Sequence, residues 1–268
     1  MARSSSRAKA RERKNLLYII FGVVFIVVLV GAGAYAKLTE ANPINGQTLC
    51  PAEGPQGHIV LLVDKSDPMT FTQRKDFDVI YEELVKKRVP KGHLLSVYAL
   101  SEDFKSTADP LIELCNPGDG SDIDIKTGNP DKVAKAFREK YLQPMLDRSV
   151  DLVTDKPGKA SPLFEMLQLV SITGFRKHDV KGERRLIVVS DMLHNTPQYT
   201  MYKAVPKFQD FAATPYAAKA MTDLPGVKVE LQILMNTPQL QKPELVHFWE
   251  EYVLQAKGKV VAVNPIKG

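Results

Sequence analysis

Sulfur, imidazole and unbalanced charge are all scarce in this 268-residue chain, and each scarcity removes a class of function. Only two cysteines and five histidines are present, and His58, His93, His178 and His247 are scattered without the spacing of a zinc site. The net charge of +5 is local. Six of the 36 basic residues (Arg3, Arg7, Lys9, Arg11, Arg13, Lys14) and one of the 31 acidic residues (Glu12) fall within the first fifteen positions, so the remainder is balanced at 30 of each. A basic groove for nucleic acid is therefore not expected. There is no internal repeat and no Gly-x-Ser-x-Gly nucleophile elbow.

One long uncharged apolar run, Leu16 to Tyr35, is present. At about 1.5 Å per residue it spans the roughly 30 Å of bilayer hydrocarbon as a helix. Basic residues crowd its N-terminal flank and only Lys37 follows closely. The positive-inside rule then keeps residues 1–15 cytoplasmic and sends the C-terminus across. Ala34-Tyr35-Ala36 resembles a signal-peptidase site, but the run exceeds the usual h-region of about 7–15 residues, which favours an uncleaved anchor. The expected organisation is a basic tail (1–15), a transmembrane helix (16–36), a linker (37–57) rich in Pro, Gly, Asn and Gln, and one domain (58–268) outside the cytoplasm. In a bacterial cell that is a single-pass inner-membrane protein with a periplasmic domain. Two cysteines in an exported domain usually pair, so a Cys50–Cys115 disulfide is expected.

Beyond His58 the chain alternates strand-like and helix-like segments. Ile59 to Val63 is a continuous apolar run, as in a strand buried on both faces. Thr70 and Gln73 form a capping-box pattern opening a helix to about Arg88, whose end (Lys86, Lys87, Arg88, Lys91) reads as a solvated face. Strands follow at Leu94–Leu100 and Leu111–Leu114. Helices are expected after Asn129-Pro130, through Tyr141, and after Ser161-Pro162. Further strands are expected at Leu186–Val189, Val227–Leu234 and Lys259–Val263, with a helix over Pro243–Ala256. This order predicts an α/β domain with a doubly wound, mainly parallel open sheet. Such sheets place their sites at the carboxyl ends of strands.

Those ends carry small oxygen-bearing side chains: Asp64 and Ser66 after the first strand, Ser161 at a helix start, and Asp191 after the strand 186–189. Two carboxylates and two hydroxyls form a hard-ligand set suited to Mg²⁺ or Ca²⁺. With these motifs in this order, the domain resembles the von Willebrand factor A family and its metal-ion-dependent adhesion site. The family's Asp-x-Ser-x-Ser reads here Asp64-Lys65-Ser66-Asp67-Pro68, its Thr-Pro-Leu reads Ser161-Pro162-Leu163, and its later Asp reads Ser190-Asp191. The resemblance spans the exported domain and implies a Rossmann-like fold. It also implies a divalent cation (Mg²⁺, or Mn²⁺ or Ca²⁺) held by Asp64, Ser66, Ser161 and Asp191, and a protein partner whose acidic side chain completes the coordination.

Pro68 stands where the family has a second liganding serine, and Asp67 or Thr70 are the nearby substitutes. Met192 stands where the family often has glycine. His194, Asn195 and the loop from Thr196 to Tyr202 are expected on the rim that selects the partner. The family's strand order also makes the strand ending at Leu114 an antiparallel edge, which brings Cys115 to the face where Cys50 enters. The alternatives are a metal-independent scaffold subunit of an envelope complex and a metal-assisted hydrolase. A Ser-His-Asp set could be drawn from Ser66 or Ser161 with His194 and Asp191, but without an elbow or oxyanion arrangement. Asp64 also lacks the second acid two residues on that an aspartyl-phosphate enzyme uses. The chain is therefore expected to be an interaction module rather than an enzyme.

Overall fold

The computed structural model of the chain describes residues 4–39, 44–103, 108–125 and 128–267. Residues 1–3 of the basic tail and 40–43 of the expected linker lie outside the described residues. The chain divides into two compact units, Met1–Pro43 and Ile44–Gly268. The first contains one helix, α1 (Ser4–Thr39), and its apolar stretch Asn15–Ala34 is long and apolar enough to cross a membrane. The basic tail from Ser4 continues this helix, because its Ala, Arg, Lys and Glu residues are strong helix formers.

The second unit is a mixed α/β structure on a six-stranded sheet. The strands are β1 (Gly57–Asp64), β2 (His93–Leu100), β3 (Ile112–Cys115), β4 (Arg184–Ser190), β5 (Lys228–Leu234) and β6 (Lys259–Ile266), in the spatial order β3-β2-β1-β4-β5-β6. All neighbours are parallel except β2 and β3, which run antiparallel at one edge.

All eight residues of β1 are buried, because helices cover both faces of the sheet. Ile59, Leu61 and Val63 pack with Phe77 and Tyr81 of α2 (Phe71–Glu83) and with Phe137 of α3 (Pro130–Phe137). Val60 and Leu62 face the other way, toward Phe164 and Leu167 of α5 (Leu163–Val170) and Phe248 and Trp249 of α8 (Pro243–Gln255). Each such side chain fully buried stabilises by roughly 1.5–3 kcal/mol.

The helices depart from expectation mainly at their ends. Helix α2 runs into a π turn at Leu84–Arg88. Helix α3 continues past Tyr141 through a π turn (Arg138–Leu142), α4 (Gln143–Asp147) and a 3₁₀ turn (Arg148–Leu152). Pro144 has no N–H to return to the carbonyl of Lys140, so regular α-helical bonding is broken there. Two short helices, α6 (Phe208–Ala212) and α7 (Ala217–Ala220), were not expected. They lack the length for a periodic signature and exist where Phe211, Ala217 and Ala220 join the aromatic core around Phe164 and Tyr252.

The chain leaves β1 toward β2 on one side and later returns to β4 on the other. The carboxyl ends of β1 and β4 therefore lie side by side where the strand order changes direction, the usual place for a site in an open α/β sheet.

Candidate functional site

Asp64 is the last residue of β1 and is buried. Its Oδ1 accepts the backbone N–H of Ser66 (2.8 Å), and its Oδ2 accepts the hydroxyls of Ser161 (2.8 Å) and Ser190 (3.1 Å). Burial raises its pKa; the Ser66, Ser161 and Ser190 groups oppose that rise by favouring the carboxylate. Ser66 is itself buried. Its hydroxyl stands beside the Asp64 carboxylate and favours the charged form, with no other partner among the described residues.

Asp191 follows β4 and is equally enclosed. Its Oδ1 accepts the N–H of Leu193 (2.8 Å), its Oδ2 accepts the phenol of Tyr202 (2.8 Å), and its carbonyl accepts the Gln241 side-chain amide (2.8 Å). Burial raises its pKa well above the usual carboxylate range, and the charges of Asp67 and Asp64 add to the rise. Among the described residues no Lys, Arg or His forms a salt bridge with Asp64, Asp67 or Asp191. The site is thus a concentration of acid without a counter-cation of its own.

Backbone geometry holds the four elements together. Ser161 and Asn195 exchange a pair of backbone hydrogen bonds, each 2.8 Å, so the strand-like entry to α5 is pinned to the segment after Asp191. Gly158 N–H donates to the Ser66 carbonyl (2.6 Å) and brings the preceding loop over the end of β1. Met192 adopts φ 61°, a left-handed conformation unusual for a non-glycine residue. Its buried side chain and the Trp249 indole N–H, which donates to its carbonyl (2.9 Å), hold it there.

The sequence-derived residues separate into those that converge and those that do not. Asp64, Ser66, Ser161 and Asp191 converge, and Asp67 stands beside them, its Oδ2 3.4 Å from the Tyr202 phenol. The Thr70 hydroxyl is instead used as a helix cap: it accepts Gln73 N–H (3.2 Å) while the Gln73 side chain accepts Thr70 N–H (2.9 Å). His194 does not lie on a rim. Its ring is buried against Phe164 (4.5 Å between centroids), and burial lowers its pKa to about 3.

The His194 imidazole makes its contacts with Tyr216 (3.0 Å) and Thr196 (3.3 Å), not with Ser66 or Ser161. Ser190 and Tyr202 complete the carboxylates' hydrogen bonding, and the Gln241 amide holds the Asp191 backbone carbonyl; none of the three was singled out as a partner of the carboxylates. Ser190 had a signal in its adjacency to Asp191 and Tyr202 in the loop expected on the rim; Gln241 had none, being joined to the site by packing alone.

A comparison with protein-family models finds no match, and none of the curated proteins matches the chain. Among the described residues no group of three or more His, Cys, Asp or Glu side chains could hold a metal ion. Any cation here would be held by a mixed set in which serine hydroxyls accompany Asp64 and Asp191.

Proposed function

We propose that the chain is a membrane-tethered, extracytoplasmic interaction module of von Willebrand factor A type, which holds a divalent cation at Asp64, Ser66, Ser161 and Asp191. The observation that carries this reading is the convergence of two buried carboxylates, neither in a salt bridge among the described residues, with the buried hydroxyls of Ser66 and Ser161. Burial without a salt bridge disfavours the charged carboxylates, their hydrogen bonds oppose that, and a bound cation would neutralise the charge that remains. The donors are all oxygen, which fits Mg²⁺, Mn²⁺ or Ca²⁺. When bound, the cation would supply an open coordination position for an acidic side chain of a protein partner. Asp64 and Asp191 would supply the negative charge of the site, and Ser66 and Ser161 would add neutral oxygen ligands. The Ser161–Asn195 bridge keeps the two halves in register. His194, neutral and engaged elsewhere, gives neither serine a base, which supports binding over hydrolysis.

The direct test is thermal melting of the domain from residue 44 in Mg²⁺, Mn²⁺, Ca²⁺ and chelator. A cation bound only by the folded state should stabilise by about 2.7 kcal/mol at a hundredfold excess over its dissociation constant. Asp191→Ala should abolish that gain while leaving the metal-free fold intact. Coincident melting curves, together with partner capture that survives chelation, would replace this reading with the metal-independent scaffold. One observation favours that second reading: Pro68 removes a ligand oxygen, while Ser161, Ser190 and Tyr202 already supply hydrogen bonds to the carboxylates.

A further inference from the structure

Beyond the basic tail the charges balance in number but not in place. The parallel strands all begin at one end of the sheet, and β3, running antiparallel, finishes there. The segments that lead into those strands are basic. Residues 86–93, entering β2, hold Lys86, Lys87, Arg88 and Lys91 and no acid. Residues 176–185, entering β4, hold five basic residues against Asp179 and Glu183, and residues 257–259, entering β6, hold Lys257 and Lys259 alone. Asp223 and Lys228 cancel before β5, and the opposing charges are Glu53 and the loop acids Asp119, Asp122 and Asp124. Positive charge is therefore in excess in these segments, whereas Asp64, Asp67 and Asp191 gather at the other end of the sheet. Arg88 and Arg185 are engaged by Glu230, but the lysines are at the surface. Lys87, Arg176 and Lys259 are exposed and form no salt bridge among the described residues. Lys91, Lys181 and Lys257 pair with Asp122, Asp179 and Asp223 while more than half of each lysine side chain stays exposed. Such pairs contribute little and open readily to another anion. Helix ends account for Lys87 and Lys257, but not for Lys181, Lys228 and Lys259, which lie in a loop or at strand starts.

The same end of the sheet receives the chain from its N-terminal side: Cys50 is bonded to Cys115, Cys115 N–H donates to the Thr48 carbonyl, and Gln56 N–H donates to the Gly92 carbonyl. Residues 40–43 alone join Thr39, the last residue of α1, to Ile44, and four residues span at most about 14 Å. We propose that this end of the sheet is a membrane-contact surface, which docks on the anionic phospholipid headgroups of the bilayer that α1 spans and leaves the Asp64–Asp191 end facing solvent. The proposal rests on the membrane-tethered part of the function argued above and not on its cation site. A tether this short makes docking intramolecular, so several weak contacts suffice. Each Lys or Arg near an anionic surface adds an attraction that fades within a Debye length. Headgroup phosphates accept from the lysine ammonium groups in the way that Asp122, Asp179 and Asp223 do in the undocked domain.

The test is lysine acetylation of the full-length chain in lipid nanodiscs, read residue by residue by mass spectrometry, with phosphatidylcholine alone or with phosphatidylglycerol added. Labelling of Lys87, Lys181, Lys257 and Lys259 should fall about fivefold in the anionic discs. Lys203 and Lys242, exposed beyond the carboxyl ends of β4 and β5, should label equally in both and serve as the internal reference. Salt at about 1 M, where the Debye length is about 3 Å, should restore the labelling. Lys181→Glu combined with Lys259→Glu, both at exposed positions, should restore it at Lys87 and Lys257. Equal labelling in the two kinds of disc overturns the proposal. Equal protection of the reference lysines, or protection that survives both the salt and the charge reversal, overturns it as well. A chain that fails to co-elute with neutral discs removes the tether and the docking together; co-elution with equal labelling removes the docking alone.

Discussion

Tyr202 borders the proposed cation site, and two buried histidines tie the fold to pH. The Tyr202 phenol donates to Asp191 Oδ2, so in the metal-free protein it partly compensates a buried carboxylate. Tyr202→Phe should lower metal-free stability by about 1–2 kcal/mol, since Asp191 Oδ2 is left enclosed without its donor while Oδ1 keeps the Leu193 N–H. The same change frees Asp191 Oδ2, so cation affinity should rise about tenfold; melting in chelator and in graded Mn²⁺ checks both signs. His58 and His194 act through protons. Burial holds each pKa at about 3 in the folded state, with His178 adding to the effect at His58. The unfolded chain takes up these protons near the ordinary value of 6.5, so it binds more of them between about pH 6.5 and 3. Each histidine therefore stabilises the fold above that window, and stability is lost as pH falls through it, at up to about 1.4 kcal/mol per pH unit per histidine. Raised carboxylate pKa values at Asp64 and Asp191 oppose this, because there the folded state binds the extra proton. Urea midpoints from pH 7 to 4 should therefore fall more steeply in Asp191→Asn than in the unaltered protein.

At the scale of elements, the edge strand β3 is the weakest part of the sheet. It has four residues and pairs only with β2. The Cys50–Cys115 disulfide compensates, linking the last residue of β3 to the segment before β1, and Cys115 N–H also donates to the Thr48 carbonyl (2.9 Å). Together with Leu94 the two half-cystines form a small buried cluster of their own. The bridge spans 65 positions. In the chain-entropy view, closing such a loop stabilises by roughly 4 kcal/mol. A Cys50→Ala, Cys115→Ala variant should show that loss in urea unfolding, and hydrogen exchange should place the earliest opening in β3. At the basic end that follows α2, Lys86, Lys87 and Lys91 are exposed as a solvated face would be, whereas Arg88 donates to both oxygens of Glu230 (2.8 and 2.6 Å), a carboxylate on β5 that Arg185 also approaches (3.3 Å). The role of Arg88 is to satisfy a buried charge within the fold.

For the whole molecule, the question is whether the helix Asn15–Ala34, long and apolar enough to cross a membrane, places the sheet domain outside the cytoplasm. The charge asymmetry about Asn15–Ala34 predicts a cytoplasmic N-terminus, and a disulfide is most at home in an oxidising compartment. An alkaline-phosphatase reporter fused after Gly268 should be active and a cytoplasm-only reporter silent. The reverse pattern would remove the extracytoplasmic reading and, with it, the proposed kind of partner.

Composition and local pattern alone determined the apolar helix, all six strands, the Thr70–Gln73 capping box and the four residues of the candidate site. These are legible because each depends on neighbours in the chain: an unbroken apolar run, a cap three residues from its partner, or an oxygen-bearing residue just past a strand. Tertiary structure alone decided where the polar side chains of distant segments point. It set Ser190 against Asp64, closed Tyr202 over Asp191, buried His194 against Phe164 and turned Arg88 toward Glu230. Each of these contacts joins elements whose mutual direction is set by packing of the shared core, and a side chain's partner follows from that direction rather than from its place in the chain.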